Sequence, residues 1–171
     1  MKLTFPEGGL RSIDGAHLDA VSATATASPR RRAIVRYHEH DEPVQRMLNA
    51  MEPDTYVRPH RHTTPPKVEA FLALRGAAAV VRFDDDGEVV EVATIRAGGP
   101  NFGAEIPPET WHTVVSLEPG TVLYEVLQGP YAAASHKDFA PWAPDEADPS
   151  AAGFLADLRR RSEELRDEVL A

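Results

Sequence analysis

Three of the seven histidines are spaced in a way that suits a metal ion. His60 and His62 flank one residue, and the two-residue period of a β-strand would direct both imidazoles to the same face. A hairpin through residues 63–66 would return Glu69 beside this pair, and His112 follows a proline-rich turn at the start of an apolar strand. Three imidazoles and one carboxylate suit Fe, Mn, Co, Ni, Cu or Zn. The sequence therefore predicts a site for one divalent transition metal.

Each of these residues has a simpler interpretation when it is taken alone. A His-x-His pair is often two surface residues on an exposed strand. Glu69 alone would be a solvated strand residue, and His112 alone would be a hydrogen-bonded packing residue. Their combination, in this order and spacing, favours the metal site.

Other side chains are candidates for the lining of a pocket around the ion. Strand alternation predicts that Tyr56 and Arg58 share the face of the histidine pair. Arg58 could bind a substrate carboxylate or phosphate, or could pair with Glu69 or another carboxylate at the rim. Tyr56 and Tyr131 are nominal candidates for a general base. Tyr131, His136 and Lys137 follow the last predicted strand and could close over the mouth of a barrel.

Short strands separated by turns are predicted to position these residues. The chain has 15 prolines and 11 glycines, and most of its apolar segments are short. The predicted strands are 33–37, 44–50, 55–62, 68–74, 78–83, 88–95, 102–106, 113–117 and 121–127. The acidic segment 84–87 is interpreted as a hairpin turn rather than a calcium site. Many short strands at regular spacing indicate an all-β sandwich or barrel.

Helices are predicted only near the two ends of the sequence. Asp14 can cap a helix that carries Leu18, Val21 and Ala25 on one side, and residues 28–29 would end it.

A second helix is predicted near the C-terminus, where Asp148 or Ser150 can cap and Pro149 suits the first turn. Its apolar residues at helical spacing are Phe154, Leu155, Leu158, Leu165 and Val169. The ion pairs expected on its exposed face are Arg159 with Glu163 and Arg160 with Glu164.

Composition and charge restrict the possible functions. The chain has 171 residues, 42% of them hydrophobic and 26% charged, which is typical of one globular domain. The absence of cysteine excludes disulfides, a thiolate nucleophile and a cysteine-ligated metal, so nitrogen and oxygen must bind any ion. The net charge of -9 disfavours nucleic acid and anionic membranes as partners, which leaves small molecules or proteins.

Several motifs are absent from the sequence. No apolar run reaches the ~18 residues of a membrane span, and no signal peptide is evident, so a cytoplasmic location is expected. A basic run, Arg30 to Arg32 with Arg36 following, is interpreted as a solvated surface, or as a site for an anion or for an acidic surface of a second subunit. Without a glycine-rich phosphate loop or a Gly-x-Ser-x-Gly elbow, kinase and serine hydrolase chemistry is not expected.

The histidine motifs resemble those of the cupin superfamily. His60-x-His62, followed by Glu69 and, after six further residues, Gly76, resembles the first cupin motif. The segment 107–112 resembles the second motif.

This sequence departs from the cupin pattern at three places. Six residues rather than three or four separate His62 from Glu69, and the opening glycine of the first motif is absent. In the second motif, Glu109 and Ser116 stand where glycine and asparagine are expected.

Within this superfamily the chain looks like the WbuC-type cupin-fold metalloproteins. The similar segments are 44–48, 56–62, 106–114, 129–131 and 137–144. The resemblance implies an all-β cupin double-stranded β-helix, a jelly-roll barrel, with short N-terminal and C-terminal helices. It also implies a bound metal with His60, His62, Glu69 and His112 as ligands, in a family without a firmly assigned reaction.

One structural domain is expected, with a helix and lead-in strand in 1–40, the barrel core in 41–130, and a packed C-terminal segment and helix in 131–171. The expected function is that of an enzyme whose divalent metal acts as a Lewis acid on a small polar metabolite such as a carbohydrate, in an isomerase- or epimerase-like reaction. The alternatives are a non-catalytic module that binds or senses a small ligand, and an iron-dependent dioxygenase. A homodimer is expected because it would cover exposed sheet edges.

Overall fold

The computed structural model describes residues 9–134 and 136–170, with side chains as far as residue 164. Its elements in chain order are α1 (Gly15–Ala27), β1 (Arg32–Arg36), β2 (Val44–Met51), β3 (His60–Arg61), β4 (Glu69–Arg75), β5 (Ala77–Phe83), β6 (Val89–Arg96), β7 (Gly103–Ile106), β8 (His112–Ser116), β9 (Thr121–Gln128), β10 (Asp138–Phe139) and α2 (Ala151–Leu170). The first antiparallel sheet has the order β1-β2-β9-β4-β7, and the second has the order β10-β3-β8-β5-β6. Most neighbouring strands are distant in sequence, as is typical of a jelly roll.

An apolar core lies between the two sheets. Its buried members are Met51, Phe71, Ala73, Ala78, Val80, Ile95, Ile106, Val114 and Leu123. Strand alternation produces this core: on β4, Phe71 and Ala73 are buried while Leu72 and Leu74 are exposed. The all-β jelly-roll class predicted from the sequence is confirmed, and the described strand pairs form a sandwich of two sheets rather than a closed barrel.

The two helices cover the outer faces of the sheets. Val21 and Ala25 of α1 pack against the first sheet, and Leu155 and Leu158 of α2 pack against the second. The predicted N-cap of α1 is confirmed, because Asp14 Oδ1 accepts a hydrogen bond from a backbone N–H one turn later at 3.0 Å. In the described part of the chain, no helix has the length and apolar character needed to cross a membrane.

The start of α2 corrects one detail of the prediction. Pro149 lies before the helix, not in its first turn, because residues 148–151 form a β-turn closed by a 3.0 Å bond from Ala151 N to Asp148 O. Proline at the second position of a turn has its φ already fixed near the required value. Ser150 is the N-cap residue, since its carbonyl accepts the first helical bond, from Phe154 N at 3.0 Å.

The two ion pairs predicted on α2 have different outcomes. Arg160 does pair with Glu164, at 2.6 Å. The pairing of Arg159 with Glu163 is wrong, because the Arg159 guanidinium turns inward and donates to the carbonyls of Pro53 and Ser116, each at 2.5 Å. These contacts attach α2 to the loop that contains Pro53 and to the end of β8.

The long strand predicted at 55–62 is mostly absent. Only His60 and Arg61 pair with neighbouring strands, and their second partner is β10, which the sequence analysis does not predict. The preceding residues extend without a strand partner, and side chains satisfy their carbonyls instead: Thr113 Oγ1 donates to Val57 O at 2.6 Å, for example. Pro59 lacks the N–H that a continuous ladder would need.

The acidic segment 84–87 forms the predicted hairpin turn between β5 and β6. Asp84 Oδ1 accepts backbone hydrogen bonds from Asp86 at 3.0 Å and from Glu88 at 2.8 Å. The carboxylate therefore stabilises its own turn, as Asp commonly does.

Candidate metal centre

The four predicted ligands meet between the two sheets. His60 on β3 lies directly opposite His112 on β8, and His62 is the first residue after β3. Glu69 opens β4 in the facing sheet. All four side chains are buried, and one ligand atom from each lies within 4.8 Å of the others. The grouping that the sequence spacing suggested is thus present in the fold.

Backbone carbonyls orient all three imidazoles in the same way. Nδ1 of His60 lies 2.9 Å from Arg58 O, and Nδ1 of His112 lies 2.8 Å from Thr110 O. Nδ1 of His62 lies 2.5 Å from the carbonyl oxygen of His136. Because a carbonyl only accepts, each Nδ1 carries the proton and each Nε2 presents a lone pair. Metal-binding histidines are oriented by this kind of contact.

The Nε2 atoms converge on a carboxylate that offers them no proton. Glu69 Oε2 lies 2.9 Å from His112 Nε2 and 3.2 Å from His62 Nε2. His60 Nε2 is buried and has no hydrogen-bond partner among the described residues. A bound cation would satisfy all of these acceptors at once, because three neutral imidazoles and one carboxylate are a normal ligand set for a divalent transition metal. The residues therefore fit the metal that the sequence predicts.

The electrostatics of the cluster favour the deprotonated forms that bind metal. Burial lowers the pKa of His60 well below its ordinary value, and the nearby charge of Lys137 acts in the same direction. Burial alone would raise the pKa of Glu69, but its contacts with His112 and His62 hold that pKa well below the usual range. Metal ligands must lose their protons before they coordinate an ion.

The turn before His112 has a left-handed backbone at Glu109. Glu109 has φ of 62°, in the left-handed region that glycine adopts easily and glutamate adopts only with strain. Its N–H donates to the carbonyl of His62 at 3.3 Å. This turn therefore connects the segments that carry two of the predicted ligands.

A cavity of 440 Å³ opens onto the cluster. Its walls include His60, Glu69 and His112, together with the apolar side chains of Ile34, Met47 and Phe71. Pockets of this size suit small metabolites.

Tyr131 and Arg58, two of the three candidate pocket residues, line this cavity. Arg58 pairs with Asp145 and donates to Ala140 O at 3.0 Å, while its guanidinium carbon lies 5.2 Å from the centre of the Phe139 ring. Of the two roles considered for Arg58, pairing with a carboxylate at the rim is the one seen, with Asp145 rather than Glu69 as the partner.

Tyr56 does not share the face of the histidine pair, so that prediction is wrong. Its ring packs in the cluster beneath α2, and its hydroxyl donates to Pro144 O at 3.0 Å. Burial raises the pKa of the phenol, so Tyr56 is also poorly suited to act as a base. The alternation fails because residues 55–59 are not a strand.

A second carboxyl group, not predicted from the sequence, lies beside the centre. Glu125 lies on β9 in register with Phe71 and lines the cavity, where Asn49 Nδ2 donates to it. Burial, together with the negative charge of Glu69, raises the pKa of Glu125 to about 8. Strand alternation could have identified it, because Glu125 shares a face with the buried Leu123 and Leu127.

His136 and Lys137 also line the cavity, just before β10. Burial lowers the pKa of His136 to about 4, and the charge of Lys137 contributes. Burial likewise lowers the pKa of Lys137, although Glu69 and Glu125 oppose that shift. A basic and an acidic side chain, Lys137 and Glu125, thus stand next to the four predicted ligands.

Comparisons with known proteins give a family match for part of the chain. The model of a family described as a domain of unknown function, DUF6016, matches residues 13–95. No curated protein matches the chain.

Solved structures similar to this one include an oxalate decarboxylase, KdgF and a cupin superfamily protein. Oxalate decarboxylase from Bacillus subtilis is 19% identical with a TM-score of 0.48, and the match covers 63% of this chain and 27% of that chain. KdgF from Halomonas sp. is 21% identical with a TM-score of 0.43, covering 60% of this chain and 80% of that one. A cupin superfamily protein from Desulfitobacterium hafniense is 12% identical with a TM-score of 0.48, covering 63% and 86%. The chain spans about a quarter of the length of the oxalate decarboxylases.

Proposed function

We propose that this protein is a metal-binding cupin enzyme that acts on a small polar metabolite. His60, His62, Glu69 and His112 would bind one divalent transition metal between the two sheets. The observation that carries the proposal is the orientation of the imidazoles: each Nδ1 contacts a backbone carbonyl, and each Nε2 is left as a lone-pair donor within one buried cluster. A buried set of acceptors without a cation would be costly.

The surroundings of the cluster support catalysis rather than storage of an ion. The 440 Å³ cavity gives a small molecule access to the predicted ligands. Glu125 and Lys137 lie in its wall and could exchange a proton with a bound molecule. A divalent ion at this site would supply Lewis-acid chemistry by polarising a carbonyl or hydroxyl oxygen. An isomerase- or epimerase-like reaction on a carbohydrate or related metabolite agrees with these groups.

Several residues of the cavity would have distinct roles in such a reaction. Glu125, held by Asn49, carries a proton at neutral pH because its pKa is raised to about 8, so it can donate to a substrate oxygen. Phe71 and Met47 provide apolar wall that excludes water from the reacting atoms. Tyr131 lines the cavity beside His136, with ring centres 4.6 Å apart.

Metal analysis followed by a substrate screen tests the proposal. Protein purified without chelators should contain close to one equivalent of a divalent transition metal, measured by mass spectrometry. Metal-loaded protein is then screened with sugars and keto acids for turnover, beside the variant Glu125→Gln. Turnover that is lost in Glu125→Gln with metal retained supports the enzyme. Metal without turnover supports the binding module, whereas iron with substrate-dependent oxygen uptake supports the dioxygenase.

Three finer features stay predictions: membership of the WbuC-type group, a cytoplasmic location and a homodimer. For the dimer, the outer face of β4 carries Leu72 and Leu74, both exposed, and Phe102 lies exposed beside the same sheet. An exposed apolar face is a common site of self-association. Light scattering at micromolar concentration should give twice the chain mass, and Leu72→Asp should shift it to the monomer. A monomeric wild-type protein would contradict the dimer.

A further inference from the structure

The wall of the cavity carries an unusual number of basic side chains for an acidic protein. Five Arg and Lys residues line it, against three glutamates, although the net charge of the chain is -9. Three of the five have carboxylate partners: Arg30 and Arg32 pair with Glu146, and Arg58 pairs with Asp145. These three are explained by the structure itself.

The remaining two, Lys137 and Arg36, have no direct carboxylate partner of this kind. No direct hydrogen bond or ion pair joins either side chain to another residue that the structure describes, although the charges of Glu69 and Glu125 act on Lys137 from a greater distance. Lys137 is partly buried, so its ammonium has lost part of its hydration without gaining a direct partner. Arg36 is exposed and lines the same cavity.

The sheet register places these two cations around the predicted metal centre. Arg36 pairs with Met47, and Met47 pairs with Glu125, so Arg36 lies two strands from Glu125. Two strand spacings are about 10 Å. Lys137 immediately precedes β10, which pairs with the strand that carries His60. A small molecule in the cavity would therefore have Lys137 close to the centre and Arg36 farther towards solvent.

We propose that the cavity binds a small organic oxyanion, whose carboxylate or phosphate contacts Lys137 and is attracted by Arg36 while a second oxygen reaches the metal. This inference rests on the proposed function, since the metal supplies the contact for the second oxygen. A bound divalent ion would also offset the charge of Glu69, and Glu125 is protonated at neutral pH, which leaves Lys137 and Arg36 to favour an anion. Ammonium and guanidinium groups bind such oxygens with charge-assisted hydrogen bonds.

Binding of matched probes to the metal-loaded protein tests this inference. Pyruvate, its neutral amide pyruvamide and inorganic phosphate are titrated by calorimetry after the metal content has been measured. Wild-type protein should bind pyruvate or phosphate at least about tenfold more tightly than pyruvamide. Whichever of the two anions binds with the higher affinity indicates whether the natural ligand carries a carboxylate or a phosphate.

Charge-removing variants identify the residues that are responsible. Lys137→Gln should weaken binding of the anion by about tenfold, and Arg36→Gln by a smaller factor because that side chain is exposed and screened. Arg82→Gln is the matched control, since it removes one positive charge from an exposed ion pair with Glu91 outside the cavity. The affinity of Arg82→Gln for the anion should equal that of the wild type.

The outcomes separate this inference from the proposed function. Absence of metal from the wild-type protein would overturn the proposed function first. If the protein is fully loaded with metal but binds neither pyruvate nor phosphate more tightly than pyruvamide, the oxyanion inference is wrong and the proposed function still stands. Equal anion affinity in wild type and Lys137→Gln, both metal-loaded and folded, would also show that the oxyanion inference is wrong.

Discussion

Glu69 Oε2 lies 2.9 Å from Nε2 of His112, although 43 positions separate the two residues and they belong to different sheets. The contact exists only when the sheets are packed face to face, so the complete fold assembles the site. The fold itself depends little on the site, because an apolar core of nine buried residues already joins the two sheets beside the cluster. The fold should therefore survive the loss of the ion.

Removal of one imidazole should remove the metal and leave the fold. His60→Ala, His62→Ala and His112→Ala each delete one nitrogen from a four-ligand set, so metal affinity should fall by at least about 10- to 100-fold. Glu69→Gln keeps the size of the side chain and loses the anionic oxygen, so it should weaken binding as well. Metal content per chain is measured by mass spectrometry, beside the circular-dichroism spectrum of each variant.

A matched control for these variants is His40→Ala, because His40 is exposed and outside the cluster. It should keep wild-type metal content. Full occupancy in both His60→Ala and His112→Ala would rule out the proposed site. If only Glu69→Gln keeps normal metal content, the ligand set consists of the three histidines. If every histidine variant loses both its metal and its fold, the ion has a structural role.

The sequence was informative where local pattern decides structure. The His-x-His spacing and eight of the nine predicted strands agree with the structure, because alternation and turn residues act over a few positions. Tyr56 was misplaced because its segment makes side-chain contacts to its backbone instead of strand pairs, and such contacts depend on distant residues. Lys137 and Glu125 meet only through the packing of separate segments, so no local pattern reports their proximity.

Glycine at position 109 should stabilise the protein. Glu109 has φ of 62° and its side chain is exposed, so the substitution relieves backbone strain without loss of buried contacts. Glu109→Gly should raise the free energy of unfolding by about 1 kcal/mol, measured by urea denaturation. Glu109→Ala is the control and should show no such gain, because alanine is strained in the same region. Equal effects of the two substitutions would mean that the backbone shape is not the cause.

Two adjacent arginines on α2 should differ in their contribution to stability. Arg159 donates to two backbone carbonyls, one of them on the fully buried Ser116, so Arg159→Met leaves both acceptors without this donor. The cost should be about 2 kcal/mol in the free energy of unfolding. Arg160→Met, which removes only exposed ion pairs, should change stability little. Similar urea midpoints for the two variants would contradict the role of Arg159 in attaching the helix.

The metal-free protein should lose stability as the pH falls below about 6.5, the ordinary value for histidine. His38 is 8% exposed, and burial lowers its pKa, assisted by the charges of Arg36 and Arg46. A histidine whose pKa is depressed in the folded state binds its proton more readily in the unfolded chain. Its contribution to stability is therefore fully present above the unfolded pKa and is lost progressively as the pH falls from that value through the folded pKa.

The variant His38→Gln separates this contribution from those of other groups, since glutamine is polar but does not titrate. The drop in urea midpoint between pH 7 and pH 5.5 should be smaller in metal-free His38→Gln than in the metal-free wild type. His60 and His136 also have pKa values that burial lowers, so part of the drop should remain. His40→Gln, which changes an exposed histidine two residues away, should keep the full drop. An undiminished drop in His38→Gln would show that His38 folds with its proton affinity unchanged.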